Sequence, residues 1–113
     1  MTKTKNPAAG KVQTKATRTI YKRFKEKFPD LPDEVEEVVY QYLPGAIRVR
    51  IIHPSFAGKS FGERELLVAD VLTALGEEIE GRITLLILMT PEEAKKQSRH
   101  MSRVFDDPTG ERL

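Results

Sequence analysis

Cysteine and tryptophan are both absent from the chain. Without cysteine there is no disulfide frame, no thiolate nucleophile and no sulfur ligand for a metal. The two histidines, His53 and His100, leave little for a zinc site. Aromatic residues make up only 7% of the chain, so aliphatic side chains must fill most of the core. No apolar run approaches the roughly 18 residues of a membrane-spanning helix. The first residues lack the apolar stretch of a signal peptide, and a cytoplasmic location is the expectation. Acid is missing from residues 1–25, which carry Lys3, Lys5, Lys11, Lys15, Arg18, Lys22, Arg23 and Lys25. Base is missing from residues 65–81, which carry Glu65, Asp70, Glu77, Glu78 and Glu80.

What remains is a chain of 113 residues, 39% hydrophobic and of net charge +2, enough for one domain with a single modest core. A basic arm beside an acidic stretch suits contact with nucleic acid or with another protein, and equally a solvated tail. Residues 1–18 read as a flexible basic arm, 19–105 as a single domain and 106–113 as a polar tail.

Within the domain, Ile20, Phe24 and Phe28 make one helical stripe that Pro29 and Pro32 end. Asp33 and Glu36 form a potential capping box for a second helix, in which Val35, Val38, Val39, Tyr42 and Leu43 follow helical spacing up to Pro44-Gly45. Valine and tyrosine also favour strands, so a strand over 35–43 is the alternative, with the helix the better match to spacing. Ile47, Val49 and Ile51 alternate with Arg48 and Arg50, which predicts a half-buried strand with both arginines facing solvent. Ser60 and Glu63 form another capping box, and Leu67, Val68, Val71, Leu72, Leu75 and Ile79 give the following helix its apolar face. Gly76 and Gly81 bracket its end. Ile83–Met89 is apolar on both faces, as a central strand would be. Thr90-Pro91-Glu92-Glu93 has a cap, a proline and an acidic first turn, and so starts a last helix with a thin apolar face of Ala94, Met101 and Phe105. The expected fold class is α/β, an α+β two-layer sandwich with a short mixed sheet of about three strands and helices on one face.

The joint between strand and helix, Phe56-Ala57-Gly58-Lys59-Ser60-Phe61-Gly62-Glu63-Arg64-Glu65, concentrates the chemistry. Gly58-Lys59-Ser60 invites comparison with a phosphate loop, but that loop needs a glycine where His53 stands, and Phe56 and Ala57 are too bulky for a cradle. Weaker anion contact at Lys59 and Ser60, at a helix start, is the reduced form of that idea. Phe61 reads as a core or staple residue. Catalytic groupings are poor: His53 precedes a proline at a strand end, His100 sits between Arg99 and Arg103, and Glu63 and Glu65 point to different sides of a helix. No enzyme activity is expected.

The run Ile47-Arg48-Val49-Arg50-Ile51-Ile52-His53-Pro54-Ser55-Phe56-Ala57-Gly58-Lys59-Ser60, followed by Glu63-Arg64, resembles the BolA-like family. The likeness extends through Leu66–Leu75 and Ile83–Met89 to Thr90-Pro91-Glu92-Glu93, covering roughly residues 46–93. The resemblance implies a fold like the type II KH domain, a three-stranded sheet with helices packed against it. It also implies a non-enzymatic partner of monothiol glutaredoxins in iron–sulfur handling, or a regulator that contacts DNA. Two departures count against cluster sharing. The family's cluster-ligating histidine after the arginine is here Glu65, and Tyr42–Ile47 holds neither cysteine nor histidine. Glutamate is a hard oxygen donor and a poor substitute for imidazole at a sulfide cluster.

The expectation is therefore a regulatory binding module with no cofactor, acting on a protein or nucleic-acid partner through Arg48, Arg50, Lys59, Ser60, Arg64 and Glu65. In the protein reading, the acidic helix 65–80 makes the contact. In the nucleic-acid reading, the basic turn and arm hold phosphates.

Overall fold

A computed structural model of the protein describes residues 10–96 and 104–106. Helix α1 (Lys15–Lys27) is followed by a 3-10 turn at Val35–Glu37, the hairpin β1 (Val39–Leu43) and β2 (Ala46–Ile52), and a second 3-10 turn at Pro54–Phe56. Three short helices follow, α2 (Phe61–Leu67), α3 (Ala69–Leu75) and α4 (Glu77–Glu80), then β3 (Ile83–Met89) and α5 (Pro91–Lys96). Residues 104–106 are helical. His100 and Met101 lie outside the described residues.

Ile20, Phe24 and Phe28 are buried as the stripe predicts. The helix nevertheless begins at Lys15, because Thr14 and Thr17 form a capping box: the Thr17 amide donates to the Thr14 hydroxyl at 3.2 Å and the Thr14 amide to the Thr17 hydroxyl at 2.8 Å. Just before it, Val12 exchanges backbone hydrogen bonds with Gln41 of β1 (3.0 and 2.9 Å). Residues 10–18, expected in the flexible arm, are thus part of the folded body. Residues 1–9 and the tail beyond Asp106 lie outside the described residues.

The helix expected over 35–43 is a strand. Val39 pairs with Val49 and Tyr40 with Arg48 in an antiparallel ladder, and Pro44-Gly45 is the hairpin turn, with Gly45 at φ +74°. The proposed Asp33–Glu36 box does not form; Glu34 starts the 3-10 turn without a side-chain cap. A helix at this place would bury a single stripe. The sheet instead buries Val39 in one core cluster and the adjacent Tyr40 in another, both at 0% exposure, and that requires the two-residue alternation of a strand.

β2 lies in the middle of the sheet, antiparallel to β1 and parallel to β3. The result is the expected α+β sandwich with a three-stranded mixed sheet. Ile83–Met89, expected at the centre, is at the edge of the strand order, and its two apolar faces follow from cover on both sides of the sheet. On one side Ile47, Val49, Ile51 and Leu88 share a cluster with Ile20 and Phe24 of α1, Phe56, and Val68, Val71 and Leu75 of the following helices. On the other, Tyr40, Ile87 and Met89 cluster with Phe105.

The single helix expected after Ser60 is broken twice. Gly76 adopts φ +89°, a conformation that ends α3 and starts α4. At Val68 (φ −105°, ψ 8°) the break has an electrostatic partner: the Lys27 ammonium takes the Leu67 carbonyl at 2.7 Å and the Asp70 carboxylate at 2.8 Å. The same contact ties the end of α1 to the α2–α3 joint.

Candidate docking site at the turn into α2

His53 leaves β2 with extended backbone, and its Nδ1 accepts from the Ser55 amide at 3.1 Å. Its ring packs on Phe28 with centroids 4.5 Å apart. It is a packing residue that starts the Pro54–Phe56 turn. Phe56 is fully buried and anchors that turn in the core, and Gly58 reverses the chain at φ +75°. The Lys59 amide closes the turn on the Phe56 carbonyl at 3.1 Å.

Ser60 and Glu63 form the capping box read from their spacing. The Glu63 amide donates to the Ser60 hydroxyl at 3.2 Å, and the Ser60 amide to Glu63 Oε1 at 2.8 Å. The anion that complements this helix start is thus the chain's own Glu63.

Arg64 is the brace of the corner. Its Nε donates to the Lys59 carbonyl at 2.9 Å, and Nη1 to the Leu88 carbonyl at 2.9 Å. A forked pair of bonds then reaches Glu93 at 2.7 and 2.9 Å. Glu93 also accepts from the Thr90 amide at 3.0 Å, completing a second capping box at the start of α5. The guanidinium bond, with the Thr90 amide next, holds the Glu93 carboxyl down to about 2, and the same contact raises Arg64 above its usual value. One arginine thus joins the turn, the end of β3 and the start of α5.

Two apolar side chains on α2 face solvent. Leu66 is 76% exposed and Phe61 52%, so of the two roles read for Phe61, core or staple, the core role does not hold. Two shallow hollows meet at Gly58: one is lined by Lys59, Glu63, Leu66 and Leu67, the other by Ala57, Thr90, Glu92, Glu93 and Lys96. Lys59 and Glu65 are exposed beside them. Farther along the same helical layer, Asp70 is paired with Lys27 and Glu78 with Arg82, while Glu77 and Glu80 face solvent.

No family model, curated protein or solved structure matches the chain.

Four of the six site residues expected from sequence, Lys59, Ser60, Arg64 and Glu65, meet at this corner. The other two do not. Arg48 and Arg50 project from the opposite face of the sheet and are 2% and 8% exposed, not turned to solvent as the alternation predicts. The reason is the segment 104–106, which covers them: Arg48 donates to the Val104 carbonyl at 2.7 Å, and the Arg50 guanidinium sits 4.3 Å from the Phe105 ring. Leu66 was missed by sequence reasoning although a signal existed, since it is an apolar residue beside the stripe 67, 68, 71, 72, 75. Asp106 had no such signal, because its partners Lys11 and Arg50 are far away in the chain.

The described residues do not fit an iron–sulfur cluster. Glu65 is exposed on α2, and among the described residues no group of three histidine, cysteine, aspartate or glutamate side chains is placed to hold a metal. Among the described residues, no helix is long and apolar enough to cross a membrane.

Proposed function

We propose that the chain is a non-enzymatic, BolA-like binding module that recognises a protein partner through the corner formed by Lys59, Phe61, Glu65 and Leu66. The observation that carries this reading is the pair of solvent-facing apolar side chains on α2, Leu66 above all, on a corner braced from beneath by Arg64. Glu65 lies at this corner, and Glu77 and Glu80 are exposed farther along the helical layer, so the matching surface has an apolar anchor and a basic rim. The three-stranded sheet with helices packed against it supports the family resemblance, and the donor chemistry at Glu65 argues for docking without a shared cluster.

The test is a photo-crosslinking side chain at position 65 of the full-length protein, in cells. A discrete protein adduct is expected that disappears with Leu66→Asp and persists with Thr73→Asp, an exposed control position on α3. No adduct, or one indifferent to Leu66, overturns the reading. Reconstitution with a monothiol glutaredoxin tests the metal question separately: a stable heterocomplex absorbing visible light would show that a cluster is shared despite the glutamate at position 65.

A second reading rests on α1, where Lys15, Arg18 and Lys22 are exposed at three- and four-residue spacing along one side of the helix. Such a stripe suits phosphate contacts. It is the weaker reading because Arg48, Arg50 and Arg64 are engaged inside the protein. Salt-titrated binding to DNA and RNA decides it: phosphate contacts appear first at low salt, and no binding there rules the reading out.

A further inference from the structure

The sheet face opposite α1 carries three buried cations, Lys11, Arg48 and Arg50, two of them on the central strand. Taking guanidinium groups out of water is costly unless every donor is met. Here it is not, because Arg50 Nε is buried with no hydrogen-bond partner. A surface made only to be core would carry aliphatic residues, as the other face of the same strand does.

The chemistry of what covers these cations indicates what the face is built to take. The Val104 carbonyl accepts from Arg48 Nη1 at 2.7 Å, and the Phe105 carbonyl accepts from the Tyr40 hydroxyl. The Phe105 ring meets Tyr40 edge-on at 5.1 Å and lies against the Arg50 guanidinium at 4.3 Å. The Asp106 carboxylate is shared by Lys11 Nζ at 3.3 Å and Arg50 Nη1 at 3.8 Å, and it remains half-exposed. Arg48 also stacks over Tyr42, 4.0 Å from the ring centroid. Main-chain acceptors, a ring on a guanidinium and a shared carboxylate are the means by which one protein holds a short segment of another.

We propose that this cationic, aromatic face is a docking site for a short peptide with an aromatic residue followed by an acid, and that Val104–Asp106 is its resident, exchangeable occupant. The two main-chain carbonyl contacts favour a peptide over a nucleic acid, which would supply the anion and the ring but not those acceptors in register. Because the resident is part of the same chain, it acts at high effective concentration and masks the face from all but a partner presenting matching chemistry. This site is separate from the α2 corner and does not depend on it.

The experiment measures binding of a fluorescent peptide with the sequence of residues 102–107, Ser-Arg-Val-Phe-Asp-Asp, to the full-length protein and to full-length Asp106→Asn and Phe105→Ala variants. Loosening the resident raises the fraction of open face, so each variant is expected to bind the peptide about tenfold more tightly than the wild type. Adding Arg50→Met to Asp106→Asn is expected to abolish the gain, as is replacing the peptide's phenylalanine with alanine. Asp106→Asn removes only the shared carboxylate and keeps Phe105, so it gives a result even where Phe105→Ala fails to fold; circular dichroism checks both. A folded Asp106→Asn protein that binds the peptide no better than wild type overturns the proposal. So does salt-sensitive binding of a thymidine oligonucleotide by the variants without peptide binding, which would assign the face to nucleic acid.

Discussion

On one face of the sheet, Ile47, Val49 and Ile51 share a cluster with Ile20, Phe24 and Val68; on the other, the alternating Arg48 and Arg50 lie under Val104, Phe105 and Asp106. Both faces exclude water to a similar degree, but they do so by different physics. The first is aliphatic and aromatic, and its stabilisation scales with apolar area. The second depends on ring–guanidinium stacking, main-chain acceptors and a carboxylate, interactions whose net worth is small once desolvation is counted. Equal burial thus does not mean equal contribution. The first face holds the fold, and the second has the composition of an interface.

The sharpest way to break that comparison is to truncate one ring on each face. Phe24→Ala is expected to cost about 3–5 kcal/mol in urea unfolding, as a large cavity in a packed core does. Phe105→Ala should cost less, about 1–2 kcal/mol, because the covering segment opens without the sheet unfolding. Equal losses would make the second face ordinary core.

At the corner on the first side, Ser60→Ala removes the cap of α2 and should lower stability by about 1 kcal/mol. A melting curve that does not move would mean that the Arg64 brace alone holds the turn.

Glu93 contributes through pH. Its folded-state value, about 2, lies below the ordinary carboxylate value of 4.5, so the stabilisation is fully present above pH 4.5 and is lost as pH falls toward 2. The carboxylate is more than a third exposed, which limits its contribution, after allowance for solvent screening, to about 1 kcal/mol. Glu93→Gln should therefore flatten the acid limb of the stability profile between those two values and lower stability at neutral pH.

The smallest expected effect is the most diagnostic of the second face. Arg50→Met replaces a buried guanidinium, one nitrogen of which has no partner, by an apolar side chain of similar reach. Stability should stay within about 1 kcal/mol of wild type, because the acids left behind, Glu37 and Asp106, are half-exposed and Asp106 keeps Lys11 as a partner. A loss of several kcal/mol would show that the cations hold the fold.

Much of the molecule was legible along the chain because the relevant forces act over a few residues. The stripe of α1, the capping box at Ser60, the cap at Thr90, the strand at β2 and the stop at Gly76 are all local events, and all form. The box that starts α1 was missed because Thr17 stands where a glutamate is usual. Residues 35–43 misled because their apolar positions satisfy two periodicities at once. Only pairing with β2 distinguishes them. At the candidate site the sequence brought Lys59, Ser60, Arg64 and Glu65 together, but it could not show that Arg64 is occupied by Glu93, 29 residues away.

By itself, then, the sequence determined the local elements, the α+β class and the chemically dense turn at 56–65, because capping, alternation and glycine conformations are settled between near neighbours. Tertiary structure alone decided which faces those elements bury. Alternation says that Arg48 and Arg50 share a side, but not whether that side meets water. The answer comes from a three-residue segment more than 50 positions away, whose carbonyl accepts from Arg48 and whose ring and carboxylate engage Arg50.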